Sequence, residues 1–553
     1  MIPRTIFAAF MILAALLTLL AGTMAAQEHA HGAHAALSAE AVPLHEDLGS
    51  HHRPISTDVA DAQAYFDQGL RLQYGFNHPE AIRSYEEALR HDPDCGMCWW
   101  GIALASGHNI NAPPEPESAR RAHQASREAL ARVGSATAAE RALIEALAER
   151  YAPELDDRQA SRDSAYARAM GRVVERFGAD ADVVTLYGAA LMNLSPWNYW
   201  EGTFADRRPR DGTERILTAL ERGLALDREH PGACHYYIHA VEAGAPQKAV
   251  ECADRLASLM PGAGHIVHMP GHIYIRVGRY ADAVRANEHA VHSDESMIAD
   301  MGGPSAYAGT YYPHNYHFMA FAATMAGMRE KAVEAARTVA PKVPHDVARR
   351  VYWIQNAVVL PQLTLLTFGE WEQVLDEASP PEDLPQAWIM SRYARGVALA
   401  ALGRANEAEA VLAEIREAGQ GVEGPPELNP IPALAPLALA GEIALRSGDP
   451  RAAVRHFEAA AEVEDQLLYE EPPLWYYPVR HSLGRAYLEA GRPRDAERAY
   501  REDLDRFPAN GWSLHGLATS LEAQGRMADA AKVWYRFSAA WASATVGLNA
   551  SRF

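Results

Sequence analysis

The stretch GRAYLEAGRPRDAERAYREDLDRFP, residues 484–508, is followed by GLATSLEAQGRMADAAKVWYRF, residues 516–537, and the two share one pattern. The first carries Gly484, Tyr487, Gly491, Ala496, Tyr500 and Pro508. The second carries Ala518, Leu521, Gly525, Ala530, Trp534 and Phe537. Gly491 and Gly525 are 34 residues apart, and so are Ala496 and Ala530. A fixed period of this length marks a repeated pair of helices that buries its apolar face on its neighbours. Each conserved type of residue has a physical job. A small residue in the first helix lets the second approach closely. The turn Gly supplies positive φ, and Pro ends the second helix.

Working outward, the same frame recurs. Gly69, Leu72, Ala81, Tyr85, Ala88 and Pro93 form one unit, and Trp99 opens the next. Gly271, Tyr274, Gly278, Tyr280, Ala283 and Ala290 follow one period after Gly244, Ala249 and Pro261. Weaker copies centre on Gly396, Gly403 and Ala408, and on Gly441, Gly448, Ala453 and Phe457. Ala283 and Ala332 are 49 residues apart, so loops are inserted between some units. Segments 120–151 and 164–193 are helical by periodicity but match the frame poorly. The pattern resembles the tetratricopeptide repeat. The expected fold is all-α, a tetratricopeptide-repeat solenoid of about eight to ten helical hairpins with inserted loops. Pro-rich stretches at 112–116, 379–385 and 424–436 interrupt it. The middle one is the expected divide between a helical half, 61–378, with a His-rich groove and a plainer repeat half, 386–553.

The rest of the chain bounds the function. Its 553 residues are 48% hydrophobic and 22% charged, a globular composition. A net charge of −20 without a basic patch argues against nucleic-acid binding. Arg4, the apolar run 6–20 and small residues up to Ala25 have the layout of a secretory signal, assigned to 1–26. That run is too short for a bilayer span, and no later stretch is apolar enough, so the mature chain is expected to have no membrane span. The expected location is periplasmic or extracellular, in a bacterium. Four cysteines, Cys95, Cys98, Cys234 and Cys252, would then meet an oxidising compartment. Cys95 and Cys98 can close a small disulfide. A thioredoxin site lacks its βαβ context, and Trp99 stands where a c-type haem site needs His.

Histidines cluster. Residues 27–60 are expected to be a mobile His-rich segment, with His29, His31, His34, His45, His51 and His52 able to collect metal ions or simply to be solvated. Ten more of the 24 lie between His230 and His317. His235 and His239, His265, His268 and His272, and His314 and His317 are spaced three or four apart, so each set shares a helix face. The repeat frame places the later sets on the groove face of successive first helices, and His235 and His239 on the preceding one, slightly rotated from the groove, with 293–310 as an inserted lid. Neutral imidazole binds zinc, copper, nickel and iron, so His235, His239, His265, His268, His272, His314 and His317 are candidate ligands for zinc or copper. Glu242 is a further ligand or an acid/base group, with Asp294 and Glu295 as weaker candidates. The competing interpretation is a hydrogen-bonded Tyr/His groove, with Tyr236, Tyr237, Tyr274, Tyr311, Tyr312 and Tyr316 nearby, that binds a peptide.

The phrases FDQGLRLQYGFNHPEAIRSYEEAL, DPDCGMCWWGIALASGHNINAP, LMNLSPWNYW, HPGACHYYIHAVEA, PGAGHIVHMPGHIYIRVGRY and YYPHNYHF, with the end at 474–512, resemble a subfamily of exported bacterial tetratricopeptide-repeat proteins. The resemblance implies the fold and supplies no mechanism. It adds Asn109, Asn111, Trp197, Trp200 and Asn315 as groove residues, although the tryptophans would equally fill a non-helical junction. Three functions follow. The first is an exported scaffold holding a peptide or protein partner in its groove. The second is a periplasmic copper- or zinc-binding protein. The third is a metalloenzyme with Glu242 as base. No HExxH, nucleophile motif or phosphate loop is present, and no catalytic residue is assigned.

Overall fold

The computed structural model describes residues 42–204, 206–300, 306–350, 354–420 and 430–553. The expected leader, His29, His31, His34 and the first part of the 424–436 stretch lie outside the described residues. The chain forms two compact units. One comprises residues up to Glu201, Arg207–Ile273 and His289–Thr310; the other comprises Gly202–Asp206, Tyr274–Glu288 and Tyr311–Phe553. The Pro-rich stretch 379–385 therefore runs inside the second unit.

The first unit contains α1 (Ala60–Tyr74), α2 (His78–His91), α3 (Gly96–Ser106), α4 (Pro116–Ala131), α5 (Ala138–Ala148) and α6 (Gln159–Phe177). It continues with α7 (Ala181–Met192), α8 (Thr213–Leu226), α9 (Pro231–Val241), α10 (Val250–Leu259) and α11 (Gly264–His268). Between α7 and α8, β1 (Trp200–Glu201) pairs antiparallel with β2 (Arg208–Pro209). Residues of α12 (Pro270–Val277), α13 (Tyr280–Asp300) and α14 (Ala306–Met325) are divided between the units. The second unit adds α15 (Arg329–Val339), α16 (His345–Ala348), α17 (Gln355–Thr367), α18 (Trp371–Asp376), α19 (Pro385–Ala401) and α20 (Ala405–Gln420). It ends with α21 (Ile431–Arg446), α22 (Pro450–Glu464), α23 (Val479–Glu489), α24 (Pro493–Arg506), α25 (Gly511–Ala523) and α26 (Met527–Ala540). The described part of the expected lid is helical, with 293–300 continuing α13 and 306–310 opening α14.

The all-α hairpin repeat is present, and its packing rule is visible at two buried tyrosines. Tyr500, on α24, is buried between two glycines. A Cβ added at Gly484 of α23 would lie 2.3 Å from its ring, and one at Gly516 of α25 would lie 2.2 Å away. Tyr85 on α2 sits in the same way between Gly69 and Gly101, at 2.5 and 2.6 Å. The missing side chains admit a ring whose burial contributes about 1.5–3 kcal/mol. Gly491 and Gly525 close their turns at φ 72° and 75°. In the second unit, first helices stack on first helices: α19 on α21, α21 on α23 and α23 on α25.

The first unit departs from simple stacking. Its helix α9 packs on α7, α8 and α10, and also on α1. Gly232 makes this possible, because a Cβ there would meet the Tyr74 ring at 2.3 Å. The segment 42–59, expected to be mobile, is pinned to the same unit. The Ser56 hydroxyl and amide bond to Glu140, Tyr65 Oη donates to the Val42 carbonyl at 2.8 Å, and Arg53 pairs with Asp180 and Asp182. Disulfides join Cys95 to Cys98 and Cys234 to Cys252. The second links α9 to α10. No described helix is long and apolar enough to cross a membrane.

Candidate metal centre

Five of the seven predicted histidines converge in the first unit. His235 and His239 come from α9, His265 and His268 from α11, and His272 from α12. Proline at 270 has no N–H to donate, so the helix expected to carry the last three breaks at Met269. The break still leaves His268 and His272 side by side. All five are buried, 0–5% exposed, where the repeat frame predicts an open groove face. The reason is the closure of α9 on α1, together with cover from two aromatic rings. Phe76 stacks on His239 and His265 and lies 4.4 Å from the His235 ring centroid; Trp197 meets His239 edge-on at 5.0 Å. Both aromatics hold positive φ, 58° and 61°. A non-glycine backbone in that region is strained and tends to accompany functional sites.

The hydrogen bonds fix which nitrogens face inward. His235 Nδ1 lies 2.6 Å from the Tyr74 carbonyl oxygen. A carbonyl only accepts, so Nδ1 carries the hydrogen and Nε2 the lone pair. His239 Nδ1 lies 3.3 Å from Glu242 Oε1. The neighbouring His272 and His239 hold the buried Glu242 carboxyl low, against the upward push of its burial, so it is ionised and also only accepts. His239 Nε2 is therefore a lone pair too, buried and without a hydrogen-bond partner among the described residues. Burial first, and then the neighbouring imidazoles, push His235 and His265 well below the usual histidine range, and burial lowers His239. Neutral rings are the form that binds metal. His235 Nε2 and His265 Nε2 stand 3.1 Å apart, and one nitrogen from each of His235, His239 and His265 falls within a 4.8 Å group. Neighbouring ligands of a tetrahedral zinc are about 3.3 Å apart, given bonds of 2.0–2.1 Å. The His235–His265 pair is close to that spacing, and the His239 nitrogen lies within 4.8 Å of both.

His230, in the same sequence window, is accounted for differently. It caps α9 by accepting from the Ala233 amide at Nδ1, and its Nε2 donates to Asp182 Oδ1 at 3.1 Å. Asp182 also accepts from Tyr74 Oη, His51 Nε2 and Arg53. That group is a hydrogen-bond hub centred on the Asp182 carboxylate, both of whose oxygens accept. Asp294 is buried and accepts from Tyr307 Oη, which in turn accepts from the His265 amide, so it supports α11; Glu295 is exposed. His314 and His317 lie on α14 within the second unit. His314 packs its ring on Phe318, and burial draws His317 down to about 4. Trp200, at the ribbon, donates to the Ala240 carbonyl near the end of α9 at 2.8 Å, and Trp197 donates to Asn111. The roles of Phe76 and Glu242 as cover and orienter were not assigned by spacing alone, although FNH and HAVEA both stand in the quoted phrases.

A family model described as a tetratricopeptide repeat matches residues 481–544. No curated protein sequence matches the chain. Among solved structures, the Cut9–Hcn1 hetero-tetramer of the APC/C is similar at 13% identity and a TM-score of 0.28, over 88% of this chain and 74% of that one. The human IFIT1 dimer with m7Gppp-AAAA is similar at 11% and 0.29, over 87% and 90%. Scores this low carry no argument about function.

Proposed function

We propose that this chain is an exported helical-repeat protein that holds a transition-metal ion, copper or zinc, on His235, His239 and His265. The observation that carries the reading is the set of inward Nε2 lone pairs on His235 and His239, fixed by acceptor-only partners, beside His265. Three neutral imidazoles suit copper and zinc, and divalent copper binds such donors tightest. Orientation of His239 by a carboxylate is the usual arrangement around metal-ligating histidines. The signal-like N-terminus and two disulfides support an oxidising compartment.

A peptide-holding scaffold is the second reading, favoured by the repeat match at 481–544. It has an obstacle in the second unit. There Ser551, Arg552 and Phe553 pack on the first helices: Ser551 Oγ donates to the His481 carbonyl, the Arg552 carbonyl accepts from Arg485, and Phe553 meets the Trp512 ring. A peptide on that face would displace them.

Elemental analysis of untagged protein tests the first reading. One or more equivalents of metal, lost in His239→Ala with the fold retained, is the expected result. No metal after incubation with copper and zinc, with partner binding indifferent to chelator, would leave the scaffold.

A further inference from the structure

Glu242 is shared between two histidine groups. One carboxylate oxygen faces His239 Nδ1, and the other, Oε2, lies 2.7 Å from His272 Nδ1. The carboxylate therefore holds one edge of the His272 ring, and its Nε2 is turned towards His268. The two Nε2 atoms are 2.8 Å apart, so in the metal-free chain one donates to the other, and an ion would replace that hydrogen. The second pair thus repeats the geometry of His235 and His265, whose Nε2 atoms are 3.1 Å apart.

The rings form a closed circuit. Centroid separations are 4.9 Å for His235–His239, 5.7 Å for His239–His272 and 4.7 Å for His272–His268. The circuit closes at 5.9 Å for His268–His265 and 4.9 Å for His265–His235. The nitrogens close enough to share an ion fall into separate groups, with His235 and His265 in one and His268 and His272 in another. Five polar rings and a carboxylate are also a costly way to fill a core that apolar side chains would pack as well.

We infer that His268 and His272 hold a second transition-metal ion beside the first, with Glu242 as the carboxylate that orients a ligand of each. The inference rests on the metal-binding reading of His235, His239 and His265, and it changes its chemistry. A pair of adjacent ions can act on one small molecule from two sides, which a single carrier site does not do.

The test is a titration of the chelator-stripped full chain with Cu(II), followed by dialysis, copper determination and electron paramagnetic resonance. Two equivalents are expected, with the resonance of both ions weakened by coupling. The double variant His268→Gln/His272→Gln should retain one equivalent with a full single-ion signal. Glu242→Gln should weaken both equivalents about 10–100-fold, the usual effect of removing an orienting partner. Zero equivalents in the native chain would sink the metal reading altogether. A single equivalent, with an undiminished signal, would overturn the second site alone and leave the first standing. Since the native chain decides between one and two, the result survives even if the double variant fails to fold.

Discussion

Asp182 allows a quantitative test of how the first unit is held. Its Oδ1 accepts from Tyr74 Oη at 2.6 Å, His51 Nε2 at 3.0 Å and His230 Nε2 at 3.1 Å, while Oδ2 accepts from Arg53 at 3.1 Å. The substitution Asp182→Asn keeps the shape and removes the charge. Every group facing the carboxylate is a donor, so the new amide N–H must point at another donor. Breaking a buried charge pair costs about 3–5 kcal/mol. Arg53 retains Asp180, with both carboxylate oxygens at 3.0 Å, which places the expected loss at the lower end, about 3 kcal/mol. At 1.4 kcal/mol per decade that is roughly a hundredfold in a local opening equilibrium. Amide hydrogen exchange across 51–56 and the first turn of α9 should show it. The pH dependence has a definite sign. The hydrogen bonds from His230 and His51 hold the Asp182 carboxyl well below its usual range despite burial. Its contribution is therefore fully present above the unfolded value of about 3.9 and is lost as pH falls towards the folded value. Asp182→Asn should remove that part of the acid limb. Protection unchanged within threefold, together with the same acid limb in both proteins, would refute the hub.

Three further outcomes are expected. Gly516→Ala forces a Cβ into the Tyr500 ring and should cost about 1–3 kcal/mol in urea unfolding. Gly525→Ala, with φ 75° and open space around it, should cost about 1–2 kcal/mol through backbone strain alone; equal insensitivity at both sites would contradict the packing account. Replacing Cys234 and Cys252 together by Ala opens a loop of 18 residues and should cost about 3 kcal/mol on the chain-entropy account, visible as a lower midpoint that reductant shifts less than in the native chain. His230→Ala should lower stability by about 1–3 kcal/mol through the lost cap and hydrogen bond while leaving metal equivalents unchanged. A drop in bound metal would place His230 among the ligands.

The repeats were legible because their determinants are local. Gly484, Gly491 and Tyr500 lie within one hairpin, and residue size and turn chemistry specify what they do wherever the hairpin sits. The flanking glycine of the next hairpin proved to be Gly516, two positions before the Ala518 on which the frame was aligned. Grouping His235 with His239 and His268 with His272 was legible for the same reason, since spacing of four names a face. Which neighbour that face meets is a long-range matter. Spacing alone could not reveal that Tyr74 supplies a carbonyl to His235, or that Phe76 covers the rings. Nor could it tell His230, with a similar setting in sequence, from its neighbours; only the Ala233 amide and Asp182 separate a capping histidine from a ligand.

The contact of α9 with α1 has a consequence for how the chain is made. His235 and Tyr74 are 161 residues apart. At about 5–20 residues per second, roughly 10–30 s of synthesis separate the two. Hairpin arrays ordinarily need no such wait, since each module rests on the one just completed. The second unit is not such an array: Trp512 Nε1 donates to the Thr324 carbonyl 188 residues earlier, and the Thr545 amide donates to the Gly327 carbonyl. In the first, α1 emerges long before its last neighbour exists, so that unit should behave as one late, cooperative event. Deleting an internal hairpin should be ruinous between residues 78 and 226, where the lost span would carry α9 out of register with the helix it must rejoin.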